Sequence, residues 1–534
     1  MALFFSLLLL KLLLMEKRGF IIMTALIVAL GGFLMGFDAS VISGVNEFIV
    51  PEFKLTDFEL GWAVASLTLV ATLAMMVAGP LSDRFGRRKI LSFAAILFAI
   101  SAIGSALAPT YTILIIARMI GGLGVGASLI IAPMYIAEIS PPKMRGQMVS
   151  FNQLNIVLGL SVAFFTNYFI LKLGQSSDEW VLALKIKEYN WRWMLGLEAI
   201  PAILYFFGLL FVPRSPRWLI MKGKFDEALR VMKKATSNEV ATDELQSIRS
   251  SITDGKPAKK TSVTELFKPA LRLVLTIGIV IAVLQQITGI NSVFFYAPMI
   301  FKQTGLGQDA AFSQAILVGL INLVFTILAI AFIDRLGRKP LLTYGVLGIV
   351  IFMGLLSYGF YSANYQLTSE GLSTLPIEIQ QPLSSLQDQN FESELEFKAA
   401  VKSILGEDLP KQTRDAVISA SIDANPTLIL IGILGFVASF AFSLGPVMWV
   451  LFSELFPNSI RGVAISFVGL INSGVSFMVQ FIFPWELETL GSATTFLIYG
   501  IFALAGLLFI VRTIPETKGR SLEELEELLV GSKE

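Results

Sequence analysis

Three ionisable side chains sit inside runs that are otherwise apolar: Asp38, Arg118 and Glu198. A charge inside a membrane-length segment is costly and marks function by default. Asp38 lies about 8 residues, roughly 12 Å, from the outer end of its run at 1.5 Å per residue. Arg118 lies about 7 and Glu198 about 5 residues inside theirs, so the three are expected at one depth. Left alone they would be expensive, and pairing of Asp38 with Arg118 is expected. A structural ion pair is the competing reading, although such pairs contribute little stability. A carboxylate that alternates between ion-paired and protonated forms is instead a coupling site, because protonation releases the arginine and changes helix packing. The chain has no histidine and no cysteine. Proton chemistry therefore rests on carboxylates, and disulfides and thiol nucleophiles are excluded.

A second cluster is uncharged. Gln285, Gln286 and Asn291 fall within seven residues of one apolar run, with Gly289 between them to loosen the helix. Amides both donate and accept, which suits a polyhydroxylated ligand, especially beside an aromatic plate. Gln285 is about 13 residues, roughly 20 Å, into its span, near the depth where transporters bind. Interhelical hydrogen bonding is the competing reading for any one amide. Phe294, Phe295 and Tyr296 follow, ending at Pro298; they are packing residues or an outer gate beside a bendable helix.

Both clusters need helices across a bilayer to hold them. The composition is 55% hydrophobic and 15% charged with mean hydropathy +0.73, whereas soluble domains average about a quarter charged residues. Twelve apolar segments are long enough to span, near 19–46, 60–80, 90–109, 111–137, 148–171, 193–212, 272–301, 311–333, 340–362, 427–452, 460–484 and 491–512. The expected fold is an all-α membrane protein of two six-helix bundles. Arg84, Arg87, Arg88 and Lys89, then Lys143 and Arg145, then Arg335, Arg338 and Lys339 occupy alternate gaps. By the positive-inside rule both termini are cytoplasmic. A net charge of +1 gives no case for a nucleic-acid partner.

Asp-Arg-Phe-Gly-Arg-Arg-Lys at 83–89 returns as Asp-Arg-Leu-Gly-Arg-Lys-Pro at 334–340, and Glu138–Gly146 is echoed by Glu454–Gly462. The offsets are 251 and 316, and their difference of 65 equals the length of the polar stretch 361–425. That stretch carries ten acidic and four basic residues. It reads as a solvated extracytoplasmic insertion with an amphipathic helix over Phe391–Leu405, a tolerated loop rather than a binding element. The implied organisation is a doubtful extension at 1–14, a bundle over 15–212, a cytoplasmic linker at 213–270, a second bundle over 271–512 and a tail at 513–534. Ala2–Leu14 lacks the marks of a signal peptide, and Met15 is the more natural start. Short helices are expected over Phe225–Ala235 and Asp243–Ile252, with Asp254-Gly-Lys-Pro as a linker and a tail helix from Ser521.

Gly79, Asp83, Arg84, Gly86, Arg87 and Arg88 are spaced as in the signature loop of the major facilitator superfamily, which this chain resembles. Arg118 with Gly122, Pro213 to Leu219, Gln285 to Asn291 and Pro515 to Arg520 resemble its sugar porter family, across nearly the whole chain except 1–14 and 361–425. That resemblance implies a twelve-helix carrier of small sugars working as a monomer without enzymatic activity. It implies a proton as coupling ion and no other cofactor or metal, since proton-coupled members carry an acid at Asp38 and at Glu198. It adds Gln153, Trp449 and Asn472 to the sugar site. Leu160 and Phe294 make their positions large and apolar, as in hexose carriers. Ser473 replaces a frequent Trp and removes an aromatic wall. It also implies a cytoplasmic inter-half gate built from the two loops, Asp83, Arg84, Arg87 and Asp334, Arg335, Arg338, with Glu138, Arg145, Arg217, Glu454 and Arg461. Arg214 stands where Glu is usual, which removes one acidic partner.

The expectation is therefore cell-membrane import of a hexose such as glucose by proton symport. A uniporter, or a pentose or polyol carrier, is the alternative. A sugar sensor would need a longer output tail than the 22 residues after Arg512. ATP-driven work would need a Gly-x-x-x-x-Gly-Lys-Ser/Thr loop, which is absent from the sequence.

Overall fold

A computed structural model describes residues 17–141, 144–253, 263–406, 409–457, 460–520 and 524–526. The readings at 1–14, at Met15, at Lys143, at the Asp254 linker and at the start of the tail helix lie outside these residues. The first half runs α1 (Lys17–Phe53), α2 (Asp57–Phe85), α3 (Arg87–Ala106), α4 (Tyr111–Ile139), α5 (Arg145–Leu173), α6 (Asn190–Gly196) and α7 (Ala199–Phe211). The linker holds α8 (Pro216–Met221), α9 (Phe225–Ala235) and α10 (Asn238–Thr253). The second half opens with α11 (Arg272–Ile287), α12 (Ile290–Lys302), α13 (Gln308–Leu336) and α14 (Arg338–Tyr361).

The spans match the apolar runs but overshoot them, because polar residues complete the end turns where water or caps satisfy the backbone. α1 continues to Phe53, beyond the expected end near 46, which places Asp38 deeper than the sequence count put it. α2 begins in a capping box: Thr56 N–H donates to Glu59 Oε2 at 2.8 Å, and Glu59 N–H donates back to Thr56 Oγ1 at 3.3 Å. That box fixes the position of Asp57 at the mouth of the helix.

Three spans are broken. The sixth is interrupted between α6 and α7, at Leu197 and Glu198. The seventh breaks at Gly289, whose φ of 85° is left-handed, as the glycine suggested. The tenth, α19 (Pro426–Phe442) and α20 (Leu444–Leu455) in chain order after the insertion, breaks at Ser443. The eleventh and twelfth form one 53-residue helix, α21 (Arg461–Thr513), bent at Gly491 where φ is 77° and ψ is 161°. Eleven described helices are therefore long and apolar enough to cross a membrane, and the last carries two of the twelve expected segments.

The compact units do not follow the expected division at 212 and 271. One comprises residues up to Ala39, Ser66–Leu160 and the stretch from Leu195 through the linker; the other takes in Ser40–Ala65 and Ser161–Met194 with the second half. The reason lies in the second unit's own bonds. Asn46 Nδ2 donates to the Phe295 carbonyl at 3.0 Å, Lys302 pairs with Glu47 at 3.4 Å, Lys172 with Asp309 at 2.7 Å, and Ser161 Oγ donates to the Gly319 carbonyl at 2.8 Å. The first unit has its own apolar core, in which Trp218, Leu219, Val231 and Met232 of the linker pack with Leu91, Phe98 and Tyr135.

The insertion corrects the sequence reading. It is a folded subdomain with β1 (Asn364–Gln366), β2 (Asn390–Phe391) and β3 (Ile422–Asp423) in the order β2-β1-β3, both pairings antiparallel. Around this sheet lie α15 (Ser369–Thr374), α16 (Ile377–Leu383), α17 (Glu394–Leu405) and α18 (Lys411–Ser421). α17 starts later than the Phe391 expected, because Ser393 caps it by accepting from Glu396 N–H at 3.2 Å and Phe391 belongs to β2. Tyr365, Leu367, Leu383, Phe391, Phe397, Val401, Val417 and Ile418 form a core, with Phe391 and Phe397 rings 5.4 Å apart. The subdomain docks by charge. Lys411 and Arg414 meet Asp57 at 2.8 and 2.9 Å, Arg414 reaches Glu488 at 3.0 Å, and Glu394 accepts the Ser492 N–H at 2.9 Å.

Candidate transport site

The first unit holds the charges. α4 carries Arg118 and α1 carries Asp38, with Arg118 Nη1 donating to Asp38 Oδ1 at 3.3 Å and side-chain exposures of only 1% and 2%. Glu198 is equally buried, at the N-cap of α7 where the sixth span is interrupted. It lies within electrostatic reach of both Asp38 and Arg118. The structure thus brings together the three residues picked from the sequence. Asp38 Oδ2 and Glu198 Oε1 are buried and accept no hydrogen bond among the described residues. One arginine therefore faces two carboxylates with unsatisfied oxygens, an arrangement with room for a proton.

The second unit holds the amides. The break at Gly289 separates Gln285 and Gln286 on α11 from Asn291 on α12. A Cβ at Gly289 would run into the Tyr499 ring, so the break is tightly packed as well as left-handed. Asn472 Nδ2 donates to Gln285 Oε1 and to the Ala282 carbonyl, both at 2.8 Å. Gln286 Nε2 donates to Gln285 Oε1 at 3.1 Å and to Asn472 Oδ1 at 3.2 Å. Asn291 Nδ2 donates to Gln286 Oε1 at 2.8 Å and to Ser476 Oγ at 2.7 Å. Gln285 Nε2 anchors on the Leu444 carbonyl, at the start of α20, at 3.1 Å.

Sequence reasoning missed two members. Ser476 and Gln480 continue from Asn472 at i+4 and i+8 along α21, and Gln480 Nε2 donates to Ser476 Oγ at 2.7 Å. That helical spacing of polar residues in an apolar span was the available signal. These amides and hydroxyls bond one another, so a ligand's hydroxyls must exchange with bonds already made. Each exchange nets only about 0.5–1.5 kcal/mol.

Other predicted residues fall elsewhere. Trp449 is 42% exposed and sets its ring edge-on to Phe452 at 6.0 Å. Ser473 is partly buried beside Asn472, and Phe294 is buried on α12. Gln153 and Leu160 lie on α5 in the first unit. Of the gate aromatics, Phe295 accepts from Asn46 through its carbonyl, and Tyr296 donates its hydroxyl to the Gln480 carbonyl at 2.9 Å.

The charged loops form two similar triads, one in each unit. In the first, Arg87 pairs with Asp83 at 2.7 Å and with Glu138 at 3.0 Å, and Ser215 donates to Glu138. In the second, Arg338 pairs with Asp334 at 3.1 Å and Glu454 at 2.8 Å, and Thr517 donates to Glu454 at 2.6 Å. Arg145 and Arg461 each cap a preceding carbonyl, of Ala137 and Phe456, at 3.0 Å. Arg84 lies over the Phe85 ring at 5.2 Å, Arg335 offers its carbonyl to Lys518, and Arg217 is exposed. Arg214 pairs with Glu227 at 3.5 Å.

Repeated halves, spans broken at mid-length and a buried acid–guanidinium pair define a secondary transporter of the major facilitator type. The chain matches the sugar (and other) transporter family over residues 24–376 and 413–529. It is 36% identical to the arabinose-proton symporter of Bacillus subtilis and 34% identical to the D-xylose-proton symporter of Escherichia coli, each over 96% of both chains. Its structure is similar to an inward-open conformation of the xylose transporter XylE from E. coli, with a TM-score of 0.71 at 33% identity, covering 95% of this chain and 99% of that one. The chain belongs to the sugar transporter family, and it is a multi-pass membrane transporter rather than an enzyme.

Proposed function

We propose that this chain imports a monosaccharide by proton symport, with the proton as coupling ion and no other cofactor. The observation that carries this is the buried Asp38–Arg118 pair beside Glu198, with one free oxygen on each carboxylate. Protonation of Asp38 from outside would discharge its bond to Arg118, leave Arg118 to Glu198, and let α1 shift against α4. The two relatives named as proton symporters support the coupling.

The sugar is held at the Gln285, Gln286, Asn291 and Asn472 cluster, extended by Ser476 and Gln480. Phe294 and Ser473, in the same unit, are proposed to shape it. A hexose such as glucose is the proposed cargo, on the apolar size of Phe294. The proposed setting is the cell membrane, crossed by a monomer with both termini on the cytoplasmic side. The outer bonds of Glu47 with Lys302 and of Asn46 with Phe295 break when that face opens.

Asp38→Asn in proteoliposomes tests the coupling. Counterflow of the sugar should persist while pH-driven accumulation disappears; undiminished accumulation would sink the assignment. Counterflow with labelled glucose, galactose, xylose, arabinose and inositol identifies the cargo, and a pentose or inositol preference over glucose would overturn the hexose.

A further inference from the structure

Beside the first charged loop, within the first unit, lies a groove of about 420 Å³ that the transport site does not use. Its lining includes the cationic Arg88, Lys89 and Arg214 and the apolar Phe93, Ile96 and Leu210. Arg87 also lines it but is spent on Asp83 and Glu138. Arg88 is held in place because its Nη2 donates to the Leu210 carbonyl at 3.0 Å. Arg214 meets its one acidic partner, Glu227, only at 3.5 Å and remains exposed. Lys89 is exposed, and no ion pair is found for it among the described residues. Of the three cations, Arg214 alone has an acidic partner in the ion pairs of the described residues.

The apolar wall continues down the outside of the bundle. Phe93 is 57% exposed, and Ile96 and Ile100 follow it on α3, with Leu210 and Phe207 exposed on α7. In a membrane protein such side chains face acyl chains. A soluble anion has no use for that rail, and a zwitterionic headgroup leaves the cations uncompensated. Cations at the end of an apolar rail match one amphiphile.

We propose that this groove is a binding site for an anionic phospholipid. The phosphate sits among Arg88, Lys89 and Arg214, and the acyl chains run along Phe93, Ile96 and Ile100 on one side and Phe207 and Leu210 on the other. Arg214 adds the third positive charge to those of Arg88 and Lys89.

The test is native mass spectrometry of the delipidated full chain titrated with dioleoyl phosphatidylglycerol, phosphatidylethanolamine or phosphatidylcholine. Phosphatidylglycerol should bind at least tenfold more tightly than phosphatidylcholine. Lys89→Gln should weaken it roughly fivefold, and Arg214→Glu more, since one basic residue at a surface is worth about that factor. Lys187→Glu, on the exposed loop before α6, should leave it unchanged. Only folded, monodisperse protein is scored, and the mild Lys89→Gln keeps the test open if Arg214→Glu misfolds. Equal binding of the three lipids, an equal loss in Lys187→Glu, or displacement of the lipid by millimolar inorganic phosphate would overturn the proposal.

Discussion

Asp57→Ala should release the folded insertion from the mouth of α2 without unfolding either. Asp57 pairs with the ammonium of Lys411 at 2.8 Å and accepts from the guanidinium of Arg414 at 2.9 Å, and Lys411 is only 4% exposed. Removing one partner of a buried ion pair costs about 3–5 kcal/mol, because the other charge stays buried. Lys411 keeps Asp415 at 3.5 Å, and Arg414 keeps Glu488 at 3.0 Å. The loss is therefore set lower, at about 2–4 kcal/mol, or roughly 30- to 1,000-fold in the opening equilibrium. Hydrogen–deuterium exchange reads this directly. Protection over residues 411–421 should fall by that factor, while the core around Phe397 and Val401 stays protected.

The pH dependence has a defined sign. Burial works against the charge on Lys411, but Asp415, Asp57 and Glu488 outweigh it and raise its pKa above the ordinary lysine value. A raised lysine stabilises fully below the unfolded value of about 10.4 and loses that contribution only as pH rises through the folded value. Between about pH 6 and 9 Lys411 should thus add no pH dependence to the protection of 411–421. Unchanged exchange in Asp57→Ala, or a loss of protection that titrates with Lys411 below pH 9, would refute the reasoning.

Three further outcomes can be checked. Gly289→Ala should lower Tm and abolish sugar counterflow, because the new methyl meets the Tyr499 ring at a left-handed φ; strain there costs about 1–3 kcal/mol before the clash is counted. Asn472→Ala should raise the sugar KM in counterflow more than tenfold and leave proton leak unchanged, since it removes the donor shared by Gln285 and the Ala282 carbonyl. Phe397→Ala, in the insertion core, should cost about 3–5 kcal/mol locally; limited proteolysis should then cut within 361–425 while the bundles remain intact.

Much of the transporter is legible in the chain itself. Span positions follow from runs of apolar residues, because the bilayer sets a length that a sequence must satisfy. The pairing of Asp38 with Arg118 follows from the cost of a lone charge in such a span. Gly289 marks the break in the seventh span because other residues rarely take its φ, and Phe225–Ala235 is a helix with the bounds its amphipathic pattern gives. What these share is locality, or a penalty so large that only one partner answers it.

Other features were decided only when the chain folded. That the Leu444 carbonyl beside the break at Ser443 would hold Gln285, 159 positions away, is announced by no local motif. The insertion read as loop because its strands are two or three residues long, and its core draws on Tyr365, Phe391, Phe397 and Ile418 at no fixed period. Lys411 looks like a surface lysine until Asp57, 354 positions earlier, is brought against it. The residue types and the membrane determined which helices form and which charges need partners. The choice among distant partners of similar chemistry depends on packing that no local pattern encodes, so it belongs to the tertiary structure.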